Sequence, residues 1–486
     1  VTKLSNPHTA VPEGTSTDST ATYPRTTGMA DNEVRKPVRC SALGGAGKES
    51  IGSAAVGSEE DRGNTAGDSL FVAALTVLLT HACEGRRFSV STLRLQLASR
   101  EICVACRNAT TLRVLVGSDM KTPRRLWAPP VPGEVLPLRP LGLRWEAHGK
   151  CPGGAVWQDS LQQLTFGDAF NQPIDGVVWP SSLKQLTFGY YFDQPIAGVV
   201  WPLSLKLLTF GFYFDQPIAG VVWPLSLEQL TFGSNFDQPI AGVVWPSALK
   251  QLTFWNRFNK PIAGVLWPSS LKQLTFGCYF NQPLAEVVWP LSLEQLSFWS
   301  NLGQPIAGVG WPWSLEQLTF RGDFNQPIDG VVWPSALKHL TFGDDFNQPI
   351  DGVVWPSSLK QLTFGDAFNQ HIARIVWPSS LKQLTFGKAF NQPIAKVVWP
   401  SSMKQLTFGN AFNQRIAGVV WPSSLKQLTF GNVFNQPIAK VVWPSSLEQL
   451  TFGNAFNQRI ARVVWPSALK QLTFWGRFDQ PIAGVV

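Results

Sequence analysis

The residue types able to do chemistry in this 486-residue chain are few and poorly spaced for catalysis. Of five histidines only His339 and His371 fall in the Trp- and Phe-rich part of the chain. No Ser, His and Asp set, no carboxylate pair and no metal-ligand set can be assembled by spacing, so nucleophilic, acid–base and metal chemistry all lack their groups. Cys103 and Cys106 form the one Cys-x-x-Cys. That spacing serves zinc or a redox couple when a second pair or a histidine cluster accompanies it, and neither does here. Cys40, Cys83, Cys151 and Cys278 lie far from it and from one another, which is no disulfide framework and suits a reducing, cytoplasmic compartment. The expectation is a protein that is not an enzyme, with no cofactor, metal or small-molecule substrate.

What the chain does carry is patterned charge. Lys338, Lys360, Lys382, Lys404 and Lys426 stand 22 residues apart, and Arg374, Lys396, Lys440 and Arg462 form a second periodic set. Residues 157–359 hold 8 Lys plus Arg against 15 Asp plus Glu, giving −7, whereas 360–486 hold 13 against 3, giving +10. Stacked cations closer than the Debye length of about 8 Å add their potentials, so the basic half is expected to capture an acidic partner or to serve only as a solvated face. An anionic polymer, nucleic acid or acidic polysaccharide, is the alternative ligand. Nucleic acid would call for aromatic rings among the cations, and Tyr is absent there. Aromatic residues instead collect earlier, at Tyr190, Tyr191, Phe212, Tyr213 and Tyr279, variable positions where exposed rings would favour contact with a protein.

Placing these side chains is the task of a repeat. Trp recurs every 22 residues from Trp157 to Trp465, fifteen times, with no insertion or deletion. A fixed period of this length predicts a solenoid in which each copy packs on its neighbours. In the copy that starts at Trp179, Leu183, Leu186 and Phe188 give the rhythm of a short core-lining strand, with Gln185 and Thr187 facing outward. Gly189 turns the chain, Phe192 re-enters the core, Asp193-Gln194-Pro195 makes a corner, and Ile196 with Val199-Val200 is expected to run as an extended return leg into Trp201. Stacking should align a glutamine row (Gln163, Gln185, Gln229) and a corner row of Asn or Asp (Asn171, Asp193, Asn259). The corner row is expected to satisfy turn backbone, and the glutamine row to be either a ladder or a recognition surface. The whole predicts a β-rich solenoid over 136–486 with one short parallel strand per repeat.

Ahead of it, residues 1–66 are rich in Ser, Thr, Gly and Ala and are expected to be disordered. Residues 67–122 read as a small α/β module, 123–135 as a Pro-rich linker, and 136–156 as a degenerate cap coil, since Leu143 and Trp145 match Leu164 and Phe166 at a shift of 21. The apolar run Leu70–Leu79 is shorter than the about 20 residues of a membrane span, and no targeting segment is evident. The chain stops at Val486, one residue before the next Trp is due, so truncation or self-association of an exposed last coil is expected, with the −7 and +10 halves able to pair between molecules.

The blocks Trp-Pro-Ser-Ser-Leu, Leu-Thr-Phe-Gly and Phe346-Asn347-Gln348-Pro349-Ile350, recurring in that order over 157–486, resemble the FNIP repeat, a 22-residue relative of leucine-rich repeats. The resemblance implies a curved solenoid used for protein interaction, with no catalytic residues. His371, Arg415 and Arg459 depart from it at the proline, and Trp255, Trp299, Arg321 and Trp475 at the turn glycine.

Overall fold

The computed structural model describes residues 113–116, 142–145, 160–476 and 478–482. The expected disordered segment, the Cys103–Cys106 pair, the linker and most of the α/β module and cap coil lie outside these residues. Among the described residues seventeen strands form one parallel sheet. β1 is Arg113–Val116, β2 is Gly142–Trp145 and β3 is Gln163–Phe166, and β4 to β17 follow, one per repeat, from Gln185–Thr187 to Gln471–Phe474. Each strand pairs with the next in unbroken register: Leu143 lies beside Leu164, Leu164 beside Leu186, and Leu362 beside Leu384.

The Gln-Leu-Thr-Phe segment makes a strand because its alternation puts Leu and Phe on the inner side and Gln and Thr on the outer. Leu362 and Phe364 are buried while Gln361 and Thr363 are partly exposed. One coil has too little apolar surface to offset its own ordering, and stacking provides the rest. Phe364, for instance, stacks on Phe342 at 5.7 Å and on Phe386 at 5.8 Å between ring centres. The Trp row closes the core on the far side. From Trp201 to Trp465 the indole Nε1 is buried without a hydrogen-bond acceptor, so packing and ring contact hold that row.

Two polar devices tie the coils together, and a glycine row lets them approach. Asn347 Oδ1 accepts both the backbone N–H of Asn369 at 2.9 Å and the side-chain amide of Gln370 at 3.0 Å in the next coil, and Asp193 does the same for Asp215 and Gln216. Ser358 and its equivalents donate to a backbone carbonyl of the previous coil, that of Leu337 in this case, at 2.7 Å. Gly365 sits where a side chain would collide with the preceding coil, because a Cβ there would come within 1.9 Å of the Gly343 carbonyl oxygen. The corner ladder thus holds the coils together, as the sequence implied.

One expectation is corrected. The return leg is not extended: Ala197-Gly198 forms a turn, closed by the Val199 N–H donating to the Ile196 carbonyl at 3.3 Å, with Gly198 at a φ of 81°. A spacing of about 4.8 Å between coils belongs to the strands alone. Equivalent Trp rings lie 6.2–6.5 Å apart in successive coils. Coils that separate away from their strands form a wedge, so the strand face lies on the inside of the bend.

Candidate functional site

The solvent-facing side of the sheet, which carries Gln and Thr and lies on the concave side of the bend, is polar by design of the repeat, and the Lys row stands at the leading end of its strands. Backbone geometry fixes that row: the Lys360 carbonyl accepts from both Lys382 N at 2.8 Å and Gln383 N at 3.0 Å, and the Lys382 carbonyl from Lys404 N and Gln405 N in the same way. The side chains therefore advance by one coil at a time with little freedom at Cα.

Which charges survive depends on the neighbours in the row. Glu228 takes Lys206 and Lys250 at 2.8 and 2.7 Å, Glu294 takes Lys272 at 2.7 Å, Glu316 takes Lys338, and Glu448 takes Lys426 and Lys470 at 2.6 and 2.8 Å. Hydrogen bonds from the paired lysines hold the Glu228 and Glu448 carboxyls down at about 2. Between Lys338 and Lys426 no acid occupies the row. Lys360, Lys382 and Lys404 have no ion pair among the described residues, and they follow one another directly. With Gln361, Gln383, Gln405 and Gln427 they border a groove of about 330 Å³. The glutamines form a ladder there, Gln383 donating to Gln405 and Gln405 to Gln427, and His339 Nδ1 lies 3.3 Å from Gln361 Oε1. Chemically this is a run of three uncompensated cations beside amide donors and acceptors, suited to carboxylates.

The second basic set is elsewhere. Arg374, Lys396, Lys440 and Arg462 occupy the Ala197-Gly198 type of turn, on the flank between the corner row and the Trp, and all four are exposed. The structure thus divides the nine predicted cations between two surfaces, and of the strand row Lys338 and Lys426 are already neutralised.

The aromatic candidates lie at the trailing ends of the strands. Tyr190 stacks on Phe212 at 4.8 Å and Tyr191 on Tyr213 at 5.4 Å, the two stacks meeting edge to face at 5.0 Å within the first coil. Tyr279 stands apart and is exposed. These rings, Tyr190 to Tyr213, are seven to eight coils from Lys360, so one short ligand cannot meet both. Further along the same edge Asp323 has its carboxyl pushed up, chiefly by burial and then by Asp345 and Asp344, while Asp366 pairs with Lys388 and pushes its amine up.

Sequence reading missed three features. Arg321 lies 4.6 Å over the Trp299 ring, and Trp299 meets Trp255 edge to face at 6.0 Å, so three of the four turn-glycine replacements form a cluster of their own. Leu203, Leu225, Leu291 and Trp313 are exposed where most copies have Ser. Finally, the second residue of each Val-Val pair points outward: thirteen aliphatic side chains from Val178 to Val464 are 75–85% exposed, in a row interrupted only by Gly310. The doublet was the available signal, since one of two successive residues on a leg beside the core must face away from it. Among the described residues no His, Cys, Asp and Glu group is arranged to hold a metal, and no helix is long and apolar enough to cross a membrane.

Comparison with known proteins follows the same period. The profile described as FNIP Repeat matches residues 132–191, 170–213, 214–257, 258–301 and 303–345, then overlapping windows stepped by 22 residues from 324–367 to 434–477. Among solved structures the chain is similar to CroV588, described as a novel circular LRR protein, at 34% identity and a TM-score of 0.55 over 77% of this chain and 67% of that one. It is also similar to the Toll–Spatzle complex of Drosophila, at 13% identity and a TM-score of 0.47 over 77% of this chain and 48% of that one. A third is an internalin (inlF) from Listeria monocytogenes, at 13% identity and a TM-score of 0.26 over 67% and 78%. No curated protein matches the sequence.

Proposed function

This chain belongs to the FNIP repeat family, and from that premise we propose that it is a non-catalytic protein-interaction scaffold whose concave, solvent-facing strand surface takes an extended acidic segment of a partner protein. The observation that carries the reading is the run Lys360, Lys382 and Lys404, left without acids in a row whose other lysines from Lys206 onward each pair with a glutamate, along a groove lined by glutamines. Three like charges at coil spacing repel one another, and a ligand with carboxylates at similar intervals relieves that repulsion while its backbone meets the Gln amides. The stacked rings at Tyr190, Tyr191, Phe212 and Tyr213 supply a separate contact for a larger partner. Nucleic acid or acidic polysaccharide gains no support from this site, whose lining contains no Tyr, Phe or Trp on which a base or sugar ring could stack.

The test is binding of a labelled oligoglutamate peptide to the full chain, read by fluorescence anisotropy. Replacing Lys360, Lys382 and Lys404 by Gln should weaken binding by about tenfold or more, and added salt should weaken it further. The same change at Arg374, Lys396 and Lys440 should have little effect. Equal losses from both triple variants, or binding that ignores both, would refute the assignment of the acidic partner to the groove.

A further inference from the structure

The outward aliphatic row invites an occupant of its own. A contiguous exposed apolar patch on a monomer seldom exceeds about 300 to 600 Å², and this row runs along almost the whole array. It lies on the flank, away from the strand-face groove, so whatever covers it leaves the groove open.

The charges that edge the row identify that occupant. Each coil presents its flank turn just ahead of the exposed aliphatic residue. Read from the coil of Val288, these turns carry Glu286, then the uncharged Ala307-Gly308, then Asp329 and Asp351. They continue with Arg374 and Lys396, the uncharged Ala417-Gly418, and Lys440. The sign pattern is negative, neutral, negative, negative, positive, positive, neutral, positive. It reverses about its own midpoint, between the coils of Val354 and Val376. All six charged residues are exposed, and none has an ion pair among the described residues. A recess of about 460 Å³, bordered by Gly352, Val354, Arg374 and Val376, marks the midpoint. There is open space above Gly352 and Gly418, and each charged residue holds that turn position or the one before it, so their side chains reach into solvent.

A sequence of charges that inverts about its centre is what a two-fold interface requires, because in such an interface residue i meets j and j meets i. We propose that two copies of this chain pack flank to flank, antiparallel, about a two-fold axis between the coils of Val354 and Val376, with the aliphatic rows in contact. Asp351 of each copy then faces Arg374 of the other, Asp329 faces Lys396, Glu286 faces Lys440, and the two uncharged turns face each other. Over the ten coils from Leu266 to Val464, the outermost pair setting Arg462 opposite the uncharged Ala263-Gly264 turn, each copy contributes nine exposed aliphatic side chains. At about 60 to 120 Å² of apolar surface for each Val or Leu covered, these come to roughly 500 to 1,100 Å² per copy, which brackets the about 800 Å² per partner of a standard interface. An anionic membrane surface fits the basic half of the flank and not the acidic half, where carboxylates edge the same row.

Sedimentation velocity of the full chain over a concentration series tests this, with charge reversal as the probe. The parent chain should dimerise. Arg374→Asp places two carboxylates opposite each other twice in the dimer and should weaken it by about tenfold or more. The double variant Asp351→Arg with Arg374→Asp exchanges the partners and should recover to within about threefold of the parent. All these positions are exposed, and circular dichroism serves to verify the fold of each variant. A parent that is monomeric at every concentration, a single variant that dimerises like the parent, or a double variant that fails to recover would each overturn the proposal. Monomers that instead cosediment with phosphatidylserine vesicles would assign the flank to a membrane and overturn it as well.

Discussion

Phe364→Ala tests the stacking argument at its centre. The ring is fully buried, lies 4.0 Å from Phe368 in its own coil, and stacks on Phe342 and Phe386 at 5.7 and 5.8 Å in the coils on either side. Truncating a buried Phe costs about 3 to 5 kcal/mol. At about 1.4 kcal/mol per tenfold, this corresponds to amide exchange faster by roughly two to nearly four orders of magnitude. In a solenoid that loss stays near the altered coil and uncouples the two sides. The amides of Leu362, Leu384 and Leu340 should therefore lose protection, while those of distant strands, such as Leu208 and Leu230, keep theirs. Lys360→Ala, four residues away on the exposed row, should change the same amides little. Hydrogen exchange followed by mass spectrometry reads both variants on the same peptides. Small and equal effects would mean that Phe364 does not sit between coils, and acceleration spread evenly over all coils would mean that the array unfolds as one block.

Asn347→Ala removes the acceptor for two inter-coil hydrogen bonds and should cost about 1 to 3 kcal/mol; Asn347→Asp should cost far less, because Asp193 and Asp215 already fill the same role, and urea midpoints would separate the two. Gly365→Ala should lower the thermal midpoint more than Lys382→Ala does, since its Cβ would have to move the Gly343 carbonyl. Glu448 has its carboxyl lowered to about 2 by Lys426 and Lys470. Its contribution to stability is therefore fully present above the ordinary carboxylate value and fades as pH falls from there through about 2. Parent and Glu448→Gln should accordingly differ in thermal midpoint at neutral pH and converge in strong acid, a comparison scanning calorimetry can make at low salt.

The sequence by itself determined the architecture. A Trp, Leu and Phe register without insertions leaves only coils stacked in phase, and alternation within Gln-Leu-Thr-Phe fixes which side chains line the core. The corner Asn row was legible because a side-chain oxygen at a bend meets the next coil's backbone whenever the period is constant. The groove was half legible. The Lys row could be read from its spacing, but the pairing of Lys338 and Lys426 required noticing that Glu316 and Glu448 fall in the same row. Only the tertiary structure decided where the chain bends between corner and Trp. The turn at Ala197-Gly198 and its equivalents sends one basic set onto the flank, away from the other, and turns one valine of each pair outward. Periodicity cannot reveal such a bend, because a feature repeated in every coil has the same period whether the chain turns there or runs straight. The direction of a turn follows from backbone angles and from what the neighbouring coil leaves room for.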